Sequence, residues 1–163
     1  MRKIVVVPYE NHWGEKFQIE SQRLKAAMPE HVKVHHIGST SVPGLAAKPI
    51  VDMIMEVENI ESVDHWNECF QQLGYIVKGE NGIPGRRFFI HGTEEKRSYH
   101  LHVFGTGNPE ITRHLAFRDY MMEINIQKER MTSCVTLMRK HLSGEKITEA
   151  SKLALFFARG EKR

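Results

Sequence analysis

The stretch His35-His36-Ile37-Gly38-Ser39-Thr40-Ser41-Val42-Pro43-Gly44-Leu45-Ala46-Ala47-Lys48-Pro49-Ile50-Val51-Asp52 decides the fold. It reads as a strand, a turn of small residues, a Val-Pro-Gly bend and a second strand. A Gly-Ser turn leaves backbone N–H groups and a hydroxyl free to approach a phosphate, and Lys48 supplies a point charge to it. Asp52 then stands where the second strand can present a carboxylate to a cation. On the bare pattern, Asp52 has a plainer use too, capping a turn or pairing with Lys48.

Outward from this stretch, strands and helices alternate. Ile4 to Val7 is β-branched and closed by Pro8, the pattern of a short buried strand. Trp13, Phe17, Leu24 and Met28 recur at helical spacing until Pro29. Strands are expected over 32–37 and 49–57. Trp66, Phe70 and Leu73 mark a helix that Gly74 terminates, and Tyr75 to Val77 returns as a strand. A loop over 79–85 leads into two hairpin strands, 86–91 and 98–104. Asn108-Pro109 starts a helix, with Asn as cap and Pro at the first helical position. Three helices, 109–122, 125–142 and 148–159, are expected to fill the remainder. The reading is an α+β domain: a mixed sheet with helices mainly on one face, and a helical C-terminal third.

Composition narrows the function classes. The chain has 163 residues, 40% of them hydrophobic and 26% charged, which suits one globular domain over 1–163 with a sizeable core. Net charge is only +3, and Lys and Arg are scattered rather than striped with aromatics. Small phosphorylated ligands therefore fit better than a long nucleic acid. The apolar run at the N-terminus is too short for a signal peptide or membrane span, so a cytoplasmic protein with no membrane partner is expected. The only two cysteines, Cys69 and Cys134, fall in apolar helical patterns and read as buried thiols. The late methionines Met121, Met122, Met131 and Met138 read as core rather than as a dimer face.

The long stretch closely resembles the GrpB family, whose members carry an almost identical HIGST-VPGL-AKP-D block. Further matches are Gly82-Ile83-Pro84-Gly85-Arg86-Arg87, Tyr99-His100-Leu101-His102-Val103-Phe104, and Asn108-Pro109-Glu110 with Arg113 to Tyr120. The resemblance implies a nucleotidyltransferase fold of the polymerase beta type. It does not by itself imply a reaction. Some relatives are fused to dephospho-coenzyme A kinase, an association with nucleotide metabolism.

In that superfamily the Gly-Ser turn precedes two carboxylates at i and i+2 of one strand, about 6.6 Å apart and able to share two metal ions. Here position i is Asp52, but position i+2 is Ile54. Glu56, at i+4, would lie about 13 Å away along the strand and cannot stand in. His100 and His102 form another i, i+2 pair, which would complete a site of one carboxylate and two imidazoles if their strand adjoined that of Asp52. Leu101 and Val103 supply an alternating apolar face, so the same histidines also fit an ordinary polar face.

The candidate site is therefore Asp52 as the catalytic residue, Gly38, Ser39, Lys48, Arg86 and Arg87 as phosphate contacts, and Asp52, His100 and His102 as metal ligands. The expected cofactor is a divalent metal, magnesium or manganese, or a transition metal if both histidines ligate. A surface ion pair of Arg86 or Arg87 with Glu94 or Glu95 is the competing reading, and His114 and Arg118 are expected to face solvent. Three functions stay open: a metal-dependent nucleotidyltransferase with an unidentified acceptor, a nucleotide- or coenzyme-binding module without the two-metal centre, and a metal hydrolase.

Overall fold

The computed structural model describes residues 5–93 and 96–142. In chain order the elements are α1 (His12–Ala27), β1 (Lys33–Ile37), β2 (Val51–Val57), α2 (Asn67–Gln72), β3 (Tyr75–Val77), β4 (Arg87–Gly92), β5 (Arg97–Gly105) and α3 (Pro109–Leu142). Short 3-10 helices at Ser39–Ser41 and Glu61–Trp66 link them. The strands form one mixed sheet in the order β1-β2-β5-β4-β3. Only β2 and β5 run parallel; the other neighbours are antiparallel.

Strand β2, paired with β1 on one side and β5 on the other, is wholly apolar on one face and carries Ile54 between Asp52 and Glu56 on the other. Val51, Met53, Met55 and Val57 face the main core with Leu101, Val103 and Phe89, where Trp13 and Leu24 of α1 and Phe70 of α2 close over them. Burying a side chain of this size contributes roughly 1.5–3 kcal/mol, so this layer carries most of the sheet's stability. On the other face Ile54 joins Ile37, Phe104 and Ile111 in a smaller cluster, against which Ile83 and Leu115 pack. The first turns of α3 thus cover the face that carries Asp52 and His100.

Boundaries follow local chemistry. The α1 helix stops at Ala27, before Pro29. Gly74 ends α2 with φ at 84°, its N–H bonding the Gln71 carbonyl at 2.9 Å. Asn108 starts α3, its side-chain oxygen accepting from Glu110 N–H at 2.9 Å.

Several expectations need correction. The Val5 to Val7 run is not a buried strand: Val5 and Val6 are 53% and 61% exposed, and only Val7 makes a bridge, with Ala47. The 109–122 and 125–142 segments are one helix, because Glu123, Ile124 and Asn125 between them contain no Gly or Pro to break the ladder. The 148–159 helix lies outside the described residues. Met131 is 64% exposed and is not core. Cys69 is a free, half-buried thiol; the Cys134 and Met138 side chains lie outside the described ones.

The chain divides into two compact units, residues 1–120 and 121–163. The sheet, α1, α2 and the start of α3 belong to the first. Among the described residues, no helix is long and apolar enough to cross a membrane.

Candidate functional site

Strand register builds the site. Parallel pairing sets Asp52 beside His100 and Ile54 beside His102, all on one sheet face. The antiparallel β4 adds Ile90 beside His100 and Phe88 beside His102. Asp52 therefore meets a histidine 48 residues away: His100 Nδ1 lies 2.9 Å from Asp52 Oδ1.

The turn after β1 completes the site. Gly38 takes φ 71° and ψ −173°, and the next three residues coil into a 3-10 turn. Ser41 N–H and its hydroxyl both donate to the Gly38 carbonyl, at 3.1 and 2.6 Å. This brings Gly38 so close to Asp52 that a Cβ there would stand 2.9 Å from Asp52 Oδ2. Two backbone bonds between Val7 and Ala47, of 2.9 and 3.0 Å, hold the returning segment. The result is a cleft of about 110 Å³ lined by Ser39, Thr40, Ala47, Lys48, Ile50, Asp52 and His100. Lys48 has no carboxylate partner among the described residues, so Asp52 is paired with His100 and not with Lys48.

The neighbouring groups are neutral or committed. His36 stacks on Phe17 at 4.7 Å and shares a 3.1 Å hydrogen bond between its Nε2 and Thr40 Oγ1. Burial lowers its pKa to about 4, with Asp52 acting against burial and Arg118 acting with it. His102 is likewise lowered to about 4 by burial, against the pull of Asp52. Its Nδ1 lies 3.3 Å from Arg86 Nη1. Among the described residues, no three His, Cys, Asp or Glu side chains gather closely enough to hold a metal ion, and Asp52, His100 and His102 do not form such a group.

Of the expected site residues, Ser39, Lys48, Asp52 and His100 line the cleft and Gly38 abuts it. Arg86, Arg87 and His102 do not line it. Arg86 is buried: its Nε and Nη2 donate to the Glu80 and Asn81 carbonyls at 3.1 and 2.7 Å, and its guanidinium sits 4.8 Å from the Phe88 ring centre. Its donors pin the 79–86 loop. Arg87 is in register with Val103 on the opposite, main-core face and grips Asp64 with two bonds of 2.6 and 2.8 Å. The hairpin partners considered from the sequence, Glu94 and Glu95, lie outside the described residues.

His114 and Arg118 also depart from expectation. The His114 ring is 6.0 Å from that of His102, and Arg118 Nη1 donates to the His36 carbonyl at 3.1 Å. Their side chains are only 30% and 22% exposed. Three lining residues, Thr40, Ala47 and Ile50, were not singled out from the sequence; the one signal for them was their place inside the decisive stretch.

Known proteins share this architecture. The UPF0157 protein YqkA of Bacillus subtilis (strain 168) is 50% identical over 130 residues, 78% of this chain, and the chain spans only 38% of YqkA's length. The crystal structure of conserved protein GrpB from Enterococcus faecalis superposes with a TM-score of 0.72 at 39% identity, covering 96% of this chain and 93% of that one. The Cid1 poly (U) polymerase, in a mutant bound to MgATP, matches with a TM-score of 0.52 at 11% identity over 81% of this chain and 43% of its own. At that identity the likeness shows the fold alone, a nucleotidyltransferase-like α+β fold. The family model described as GrpB protein matches residues 3–134, and the chain belongs to the GrpB family.

Proposed function

We propose that this chain is a nucleotide-binding module on a nucleotidyltransferase fold, taking a phosphoryl group into the Ser39–Lys48–Asp52–His100 cleft without a two-metal centre. The observation that carries this reading is Ile54. It occupies the position where the fold's second carboxylate would stand, and it is fully buried with Ile37, Phe104 and Ile111. Two further features support it: Asp52 lies 2.9 Å from His100 Nδ1, and the buried cation Arg86 stands beside His102, which disfavours a second cation there.

The cleft's size agrees with one phosphoryl group. At about 110 Å³ it is well below the ~300–1,000 Å³ that encloses a drug-sized ligand, so the rest of a nucleotide or coenzyme precursor lies outside it. Lys48 supplies the charge, and Gly38 leaves room for close approach. A cytoplasmic location, with its nucleotide pool, goes with the reading.

Calorimetric titration with ATP, GTP and coenzyme A precursors, each with magnesium, with manganese and with chelator, tests it. Binding that survives chelation, with no product formed, is the expected result. Product that requires metal and disappears in Asp52→Asn would return the chain to the metal-dependent transferases. A manganese requirement for binding alone would place a single ion at Asp52 and His100.

A further inference from the structure

His36, the penultimate residue of β1, is held from several sides. Its ring lies flat on Phe17 of α1, with centroids 4.7 Å apart and planes 13° from parallel. Its carbonyl accepts from Arg118 Nη1 of α3 at 3.1 Å, and its backbone is paired opposite Met53 of β2. A side chain fixed in this way is an anchor for whatever it bonds, and its Nε2 lies 3.1 Å from Thr40 Oγ1. A neutral imidazole carries one donor and one acceptor nitrogen and a hydroxyl serves as either, so this hydrogen bond forms in both ring tautomers. Thr40 is the middle residue of the Ser39–Ser41 turn and is only 2% exposed. A single 3-10 turn has weak bonds of its own. Here they run from Ser41 N–H and its hydroxyl to the Gly38 carbonyl, and from Val42 N–H to the Ser39 carbonyl at 3.2 Å. These bonds are internal to the turn; among the described residues, the side-chain hydrogen bond that ties the turn to the sheet is the one between Thr40 and His36.

From this we infer that His36 is the positioning residue of the cleft: its bond to Thr40 staples the turn to β1 and so sets where Gly38 and Ser39 stand against Asp52. Thr40 lines the cleft, but with its hydroxyl engaged by His36 it acts by holding the wall in place rather than by contacting a ligand. Phe17 and Arg118 belong to the same device, since they fix the ring and the backbone of the anchor. The inference deepens the phosphate-binding reading and rests on it for what the cleft holds; the stapling of the turn needs no ligand.

Amide hydrogen exchange of the free protein, followed by calorimetry with ATP in chelator, tests this in the full chain. Thr40→Val, which removes the hydroxyl at nearly constant volume, is expected to speed exchange of the Ser41 and Val42 amides about tenfold and to weaken ATP binding by a similar factor, with the Met53 and Met55 amides of β2 unchanged. His36→Phe, which keeps a ring to stack on Phe17, is expected to do the same, and Thr40→Ser, which keeps the hydroxyl, to do neither. The double variant His36→Phe with Thr40→Val is expected to lose no more than either single one, because both remove the same bond. Turn amides that exchange at the wild-type rate in Thr40→Val overturn the inference whatever ATP does. So does acceleration that reaches the β2 amides equally, which is general destabilisation, and so do losses that add in the double variant. Faster turn exchange with unchanged ATP affinity leaves phosphate binding standing and sinks the positioning role. If the wild type binds no ATP while the turn amides respond as expected, the phosphate-binding reading falls and the His36 staple stands.

Discussion

Gly38 and Asp52 touch across the turn that follows β1: a Cβ on residue 38 would lie 2.9 Å from Asp52 Oδ2. Residue 38 also has φ 71°, which a side chain disfavours by about 1–3 kcal/mol. The Gly38→Ala variant is therefore expected to lose about 2–4 kcal/mol of stability in urea denaturation, conformational strain and displacement of Asp52 together. It is also expected to bind no nucleotide, since the displaced carboxylate releases His100. Wild-type stability with wild-type affinity would mean that the two residues are not in contact in solution.

Ile54 tests the absence of the two-metal centre from the other direction. Converting Ile54→Asp restores the carboxylate spacing of the superfamily on paper. Yet position 54 has no solvent exposure and packs on Ile37, Phe104 and Ile111. Losing the apolar contacts and burying a carboxyl should cost at least about 3 kcal/mol. The expected variant is strongly destabilised in urea and gains no magnesium-dependent turnover; a stable Ile54→Asp protein with such turnover would show that the face tolerates a metal pair.

The sequence exposes this site unevenly, and the reason is physical. Gly38, Ser39, Lys48 and Asp52 lie in one contiguous stretch, so a turn and two strands suffice to bring them together. His100 arrives through the parallel register of β2 with β5, which alternation within either strand does not encode. Arg86 shows its charge in the sequence but not the loop carbonyls that consume its donors. Arg87 finds Asp64, 23 residues back, only because the chain folds one over the other. Among elements, Gly74 and Asn108-Pro109 marked helix ends by local chemistry and did so correctly. The Val5–Val7 run failed because β-branching says a segment can be a strand, whereas a neighbouring strand decides whether it is one.

Arg86 should behave as a structural residue. Its side chain satisfies the Glu80 and Asn81 carbonyls and covers the Phe88 ring. Removing those donors loses two partly buried hydrogen bonds, each contributing about 0.5–1.5 kcal/mol, together with the packing on Phe88. Arg86→Met is expected to lose about 2–4 kcal/mol of stability while its nucleotide affinity changes less than twofold, and Arg86→Lys to recover only part, lacking the planar fork. A tenfold loss of affinity at wild-type stability would instead identify Arg86 as a ligand contact.

Acid should unfold this protein through histidines rather than through its carboxylates alone. His36 and His102 are both lowered to about 4, burial being the main cause, whereas an unfolded chain titrates them near ~6.5. Between those values the unfolded state binds more protons than the folded one, so stability rises with pH across the window. Their contribution is fully present above about pH 6.5 and is lost as pH falls toward 4. A tenfold difference in proton affinity between the folded and unfolded chain corresponds to about 1.4 kcal/mol, so each histidine accounts for at most roughly 3.5 kcal/mol. His36 stands between Asp52, which favours its charged form, and Arg118, which opposes it, so Arg118→Gln should raise its pKa and soften the acid loss. Urea midpoints at pH 7.5, 5.5 and 4.5 should fall steadily in the wild type and less steeply in His36→Gln. An unchanged slope in His36→Gln would mean that this imidazole is hydrated in solution and that its stacking on Phe17 does not exclude water.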